Sequence, residues 1–122
     1  MEYKYLDLTI NYECIGVGDP IILLPGWGTN LHTFDTLIQQ LKTKYCVYAI
    51  DLIGFGMSDE PEEPWGVSEY TRFLECFMKD YQINRPIILG HSFGGRIAIK
   101  YAARNQNIDK LILVDSAGIK PH

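Results

Sequence analysis

The sequence predicts an α/β fold: a mostly parallel, doubly wound sheet with helices on both faces and an antiparallel N-terminal edge. Three observations carry this expectation. Apolar runs of strand length that do not alternate recur at residues 20–25 (PIILLP), 45–51 (YCVYAID), 86–90 (PIILG) and 111–115 (LILVD), the pattern of strands covered on both faces. Stripes of apolar residues at helical spacing lie between those runs. Near the N-terminus, Leu6, Leu8 and Ile10 alternate with Asp7, Thr9 and Asn11, the pattern of a half-buried strand.

In chain order, the alternating segment closes at a turn over residues 16–20 (GVGDP), whose glycines and proline punctuate strands. After the run at 20–25, Leu31, Phe34, Leu37, Ile38 and Leu41 predict a first helix. After the run at 45–51, the acidic, proline-broken segment 59–65 (DEPEEPW) predicts a solvated loop. Tyr70, Phe73, Leu74, Phe77, Met78 and Tyr81 predict a second helix with Ser68 as its N-cap. Ile97, Ala98, Tyr101 and Ala102 predict a third, opened by Gly94 and Gly95. Strands alternating with helices of this length build right-handed βαβ units. The aromatic stripes are those of a core, and no repeat, linker or low-complexity segment interrupts them.

The chain of 122 residues is 47% hydrophobic and 21% charged, the composition of one ordinary globular domain. A net charge of −4 leaves no basic stripe for a nucleic acid. No apolar run approaches the roughly 18 residues of a membrane span. The opening MEYKYLDLTINYE lacks the basic start and apolar core of a secretion signal, so a cytoplasmic location is expected. Cys14, Cys46 and Cys76 are odd in number and widely spaced, without a CxxC or a His/Cys cluster. They indicate neither a disulfide framework nor a zinc site, and the expectation is reduced thiols in the interior. No cofactor or metal is expected.

The segment GHSFGG (90–95) carries the chemistry. Gly90, Ser92 and Gly94 satisfy G-x-S-x-G between a predicted strand and a predicted helix, the context that gives this motif meaning. A nucleophilic serine must ride a sharp strand-to-helix turn, and side chains two residues to either side would crowd that turn. The helix that follows offers free N–H groups and a positive dipole end to a developing oxyanion. Two rival glycine readings fail. GHSFGGRI has Arg96 and Ile97 where a phosphate-binding loop needs Lys and Ser/Thr. GFGMSD (54–59) lacks the third glycine of a dinucleotide fingerprint.

With these motifs in order, the chain resembles the α/β-hydrolase fold family, and closest in character its small serine esterases and carbon–carbon bond hydrolases. IILLPGWGTN resembles the strand and loop that carry the oxyanion hole, with Pro25 where the family commonly has histidine. AIDLIGFGMSD resembles its D-x-x-G-x-G-x-S loop through Asp51, Gly54, Gly56 and Ser58. GHSFGGRIAIKYA resembles the nucleophile elbow, and KLILVDSAG the next strand. The resemblance implies Ser92 as nucleophile and the backbone N–H groups of Trp27 and Phe93 as oxyanion donors. It also implies a small apolar ester or related carbonyl substrate. A serine at this place argues against the branches that use aspartate.

The family's acid and histidine follow the serine along the chain, and only 30 residues follow Ser92. Asp115 ends the run at 111–115, where a few lipases place their acid; Asp109 and His122 are the other candidates, and His91 and His32 precede them without family precedent. Residues 1–122 therefore match the N-terminal part of a single α/β-hydrolase domain, with the histidine base expected from outside the chain. The run LILVD, written for an interior strand, would then stand as an exposed parallel edge open to self-association or to a partner segment. The alternative to an enzyme is a ligand- or partner-binding protein that uses the same fold without chemistry.

Overall fold

The computed structural model describes residues 1–115. Six strands form one sheet: β1 (Glu2–Tyr5), β2 (Leu8–Ile15), β3 (Asp19–Leu24), β4 (Tyr45–Ile50), β5 (Ile87–His91) and β6 (Lys110–Val114). Their spatial order is β1-β2-β4-β3-β5-β6. The pairs β1/β2 and β2/β4 are antiparallel, whereas β3/β4, β3/β5 and β5/β6 are parallel. Three α-helices cover the sheet: α1 (Asp35–Leu41), α2 (Val67–Asp80) and α3 (Phe93–Arg104). This is the predicted arrangement of a mostly parallel sheet with an antiparallel N-terminal edge.

Alternation along β3 explains why its run is apolar throughout. Ile21 and Leu23 face α1 in a cluster with Leu31, Phe34, Ile38, Val47, Ala49 and Leu89. Ile22 and Leu24 face α2 and α3, in a larger cluster that includes Phe73, Leu74, Phe77, Ile88, Ile97 and Ala98. Both faces of the strand are dry, so neither can be polar. Under α2, Phe77 lies edge-on to Tyr3 and Tyr12, with ring centroids 5.2 Å away in each case. These contacts hold the antiparallel β1–β2 ribbon onto the helix.

Three local expectations are corrected. The N-cap of α2 is Gly66, not Ser68: the Gly66 N–H donates to Glu69 Oε1 at 2.6 Å, so the helix starts earlier. Ser68 Oγ instead accepts from Lys100 Nζ at 2.7 Å and ties α2 to α3. The stripe at 31–41 is not one helix but a 3-10 turn (Leu31–Phe34) leading into α1, with Asn30 Oδ1 capping the turn through His32 N. Cys76 is exposed, and Cys14 and Cys46 are only half-buried. Cys76 flanks the apolar stripe of α2 without joining it.

At the C-terminal end of β4, Asp51 gathers four segments. Its buried carboxylate accepts from Leu31 N at 2.7 Å through Oδ1, and from Asn11 Nδ2 and Met57 N at 2.9 Å each through Oδ2. Ser58 Oγ donates to the Asp51 carbonyl at 2.6 Å and accepts from Asn11 N at 2.8 Å. One carboxylate thus fixes β2, the loop at 54–58 and the 3-10 turn that follows the glycine loop after β3. Charge-assisted bonds of this kind are about twice as strong as neutral ones. The sheet's far edge differs: among the described residues β6 pairs with β5 alone, with Leu111, Ile112 and Val114 exposed. Asp51→Ala strands the three donors that its carboxylate serves; urea denaturation should show a loss of about 2–4 kcal/mol.

Candidate active site

The site is built where β3 and β5 end. Ser92 joins β5 to α3 with φ 54° and ψ −116°, a conformation that costs an L-residue on the order of 1–3 kcal/mol. Two backbone bonds hold it: Ser92 N–H donates to Val114 O at 3.0 Å, and Gly95 N–H donates to Ser92 O at 2.9 Å. Tight packing does the rest. A Cβ on Gly90 would sit 2.6 Å from Gly94 O, and one on Gly94 would sit 2.2 Å from Leu24 O. The first turn of α3 therefore lies on the end of β3 at a distance only glycine permits.

Gly26 closes the opposite side. A Cβ there would lie 3.2 Å from both Ser92 Cβ and His91 Nδ1, so the loop after β3 passes directly over the elbow. The next peptide N–H is that of Trp27, and the N–H at the head of α3 is that of Phe93. Among the described residues, neither N–H has a recorded hydrogen-bond acceptor. Ser92 itself is half-buried.

Aromatic rings wall this corner. The Trp27 ring is 58% exposed and packs against Phe55 and Phe93, at centroid distances of 4.7 and 5.0 Å. Phe93 in turn meets Tyr70 at 5.5 Å. The Tyr70 hydroxyl donates to Ile53 O at 2.7 Å, and burial pushes its phenol up to about 12. Tyr70 thus stays a proton-bearing strut and not an acid of the site.

The titratable candidates scatter. His91 leaves the elbow on the side of α1; its Nδ1 is buried against Gly26, without a partner among the described residues. Its ring lines an apolar cleft of about 350 Å³ with Phe34, Leu37, Leu89 and Val114. His32 is exposed and contacts Asp35 Oδ1 at 3.2 Å. Asp109 pairs with Arg85 at 3.7 Å before β6 begins, at the opposite end of the sheet. Asp115 stands just past β6, beside the strand end that receives the Ser92 N–H. His122 lies outside the described residues. The described residues hold no group of three or more metal-ligating side chains and no helix long and apolar enough to cross a membrane.

Sequence reasoning missed Asn11. Its side chain reaches Asp51 across 40 positions, and no local pattern announces a contact made by strand pairing. Gly26 was equally silent, because its role is to be absent from the space that Ser92 occupies.

The profile of the alpha/beta hydrolase fold matches residues 19–122. AB hydrolase superfamily protein YisY of Bacillus subtilis is 36% identical over 113 residues, which are 90% of this chain and 42% of YisY. A serine hydrolase-like protein of Mus musculus is 34% identical over 100 residues, 80% of this chain and 32% of that protein. Among solved structures, an esterase from Exiguobacterium antarcticum superposes with a TM-score of 0.90 at 29% identity, covering 95% of this chain and 45% of the esterase. A membrane phospholipase A superposes with a TM-score of 0.94 at 30% identity, covering 99% of this chain and 40% of that one. The chain thus spans less than half the length of these relatives. With elbow, glycine loop and sheet order all in the family's arrangement, the chain belongs to the alpha/beta hydrolase fold family.

Proposed function

We propose that this chain carries the nucleophilic half of a serine hydrolase that cleaves small apolar esters, or related carbonyl compounds, through an acyl-enzyme. The observation that carries the reading is the backbone of Ser92, held at positive φ between β5 and α3 by contacts that only glycines allow. Ser92 Oγ adds to the substrate carbonyl carbon while its proton passes to a histidine base. The tetrahedral oxyanion accepts from the Trp27 and Phe93 N–H groups. The bond to the leaving alcohol then breaks, the alcohol departs with the proton, and water hydrolyses the acyl-serine. Each oxyanion donor is typically worth about 3–4 kcal/mol to the transition state. The aromatic wall of exposed Trp27 and half-buried Phe55 and Phe93 suits an apolar acyl or alcohol group, in keeping with relatives named as esterase and serine hydrolase-like.

In this reading the base and its orienting carboxylate come from outside residues 1–115. A preformed oxyanion site without a triad retains about 10³–10⁴-fold catalysis over water, so weak ester turnover is the expectation for the chain alone. A second reading, a binding protein on the same fold, draws on one observation: neither described histidine donates to or accepts from Ser92. A fluorophosphonate probe separates the two. The enzyme reading expects slow labelling at Ser92 alone, accelerated by added imidazole and abolished in Ser92→Ala. No labelling with or without imidazole favours the binder, and brisk hydrolysis lost in Ser92→Ala would place a base within the chain.

A related proposal concerns the edge. Among the described residues, strand β6 is unpaired on one side, and the apolar cleft of Val114, Leu89, Phe34 and Leu37 adjoins it. Two copies of this chain pairing β6 with β6 would cover both features. Sedimentation of the chain should show concentration-dependent dimers that Ile112→Lys weakens; a monomer at all concentrations contradicts the pairing.

A further inference from the structure

Far from the elbow, two cysteines separated by 32 positions meet across the antiparallel pair β2/β4. Cys14 Sγ and Cys46 Sγ lie 3.4 Å apart. The register sets Cys14 opposite Tyr48, so Cys46, two residues earlier on β4, is its diagonal neighbour on the same sheet face. Both are half-buried, while Cys76 is exposed on α2. From Cys46 to the Asp51 end of β4 the strand rises roughly 16 Å, so this pair is not part of the site around Ser92.

We propose that Cys14 and Cys46 form a reactive dithiol that closes to an intramolecular disulfide by exchange with a low-molecular-weight disulfide. The thiolate of one cysteine attacks the small disulfide, forming a mixed disulfide and releasing one small thiol. The thiolate of the second cysteine attacks the protein sulfur of that mixed disulfide, forming the Cys14–Cys46 bond and releasing the other small thiol. Two protein thiols are oxidised, one small disulfide is reduced, and the two protons end on the released thiols.

Closure needs the sulfurs to approach to about 2.05 Å. The sites favour such an adjustment. Cys14 is next to the last residue of β2, just before the turn at 16–18, and Cys46 is the second residue of β4. Strand ends yield more readily than strand centres. Burial, and then the adjacent Cys46 sulfur, push the Cys14 thiol up, so Cys14 rests as a thiol. The bond would add a covalent staple between the β1–β2 ribbon and the parallel core, beside the β2/β4 ladder that joins them.

The test uses the full chain with the exposed thiol removed, Cys76→Ser, and oxidised glutathione at mildly alkaline pH. The expected product loses two hydrogens in intact mass and carries no glutathione. Its digest contains one peptide linking Cys14 to Cys46, and dithiothreitol restores both thiols. Adding Cys14→Ser or Cys46→Ser should abolish closure and leave at most one glutathione adduct. The unsubstituted chain should give the same internal bond plus an adduct at Cys76. Two adducts on the Cys76→Ser chain, a bond between copies, or thiols that react only after unfolding would each overturn the proposal.

Discussion

At one end of this sheet, β3, β5 and the first turn of α3 approach more closely than a Cβ on Gly90 or Gly94 allows. The end of β3 lies on the first turn of α3, β5 ends against that same turn, and the loop after β3 crosses the elbow at Gly26. Ser92 is caught between them in a conformation that an isolated serine would leave. The strain, on the order of 1–3 kcal/mol, is offset by the packing of Ile22, Leu24, Ile88, Ile97 and Ala98 beneath it. Those residues bury apolar surface whichever residue occupies position 92. The sheet therefore supplies the stability, and the glycines direct where the hydroxyl goes.

The same close approach sets the electrostatics. A helix N-terminus has N–H groups without internal partners, and the elbow brings one of them, Phe93, next to the serine. The Gly26 loop brings a second, Trp27. Asp51 contributes from behind by fixing the 3-10 turn that closes this loop, through Leu31 N, and the loop at 54–58, through Met57 N. Its carboxylate is engaged by Leu31 N, Asn11 Nδ2 and Met57 N, and so acts as an anchor for the loops.

The fold was legible where burial on both strand faces left a continuous apolar signature, as in β3 and β5, and where glycines bracket Ser92. The site was legible only in its local parts. Asn11 and the Cys14–Cys46 contact arise from strand register across 40 and 32 positions, which no spacing along the chain encodes. Ser68 resembled a cap because serine commonly is one, but Glu69 reaching back to Gly66 won the helix start. The 3-10 turn at 31–34 was hidden inside an apolar stripe that continues into α1, since Leu31 and Phe34 are buried in either helical form.

The account stands on the proposed reach of Ser92 Oγ to the Trp27 and Phe93 amides, which have no acceptor among the described residues. A crystal structure of the chain phosphonylated at Ser92 tests this most directly. The account predicts phosphorus on Ser92 Oγ, Ser92 still at positive φ, and the phosphonyl oxygen about 3 Å from both the Trp27 and Phe93 nitrogens. A phosphonyl oxygen turned to solvent, or Ser92 relaxed to ordinary helical or extended geometry, would contradict it.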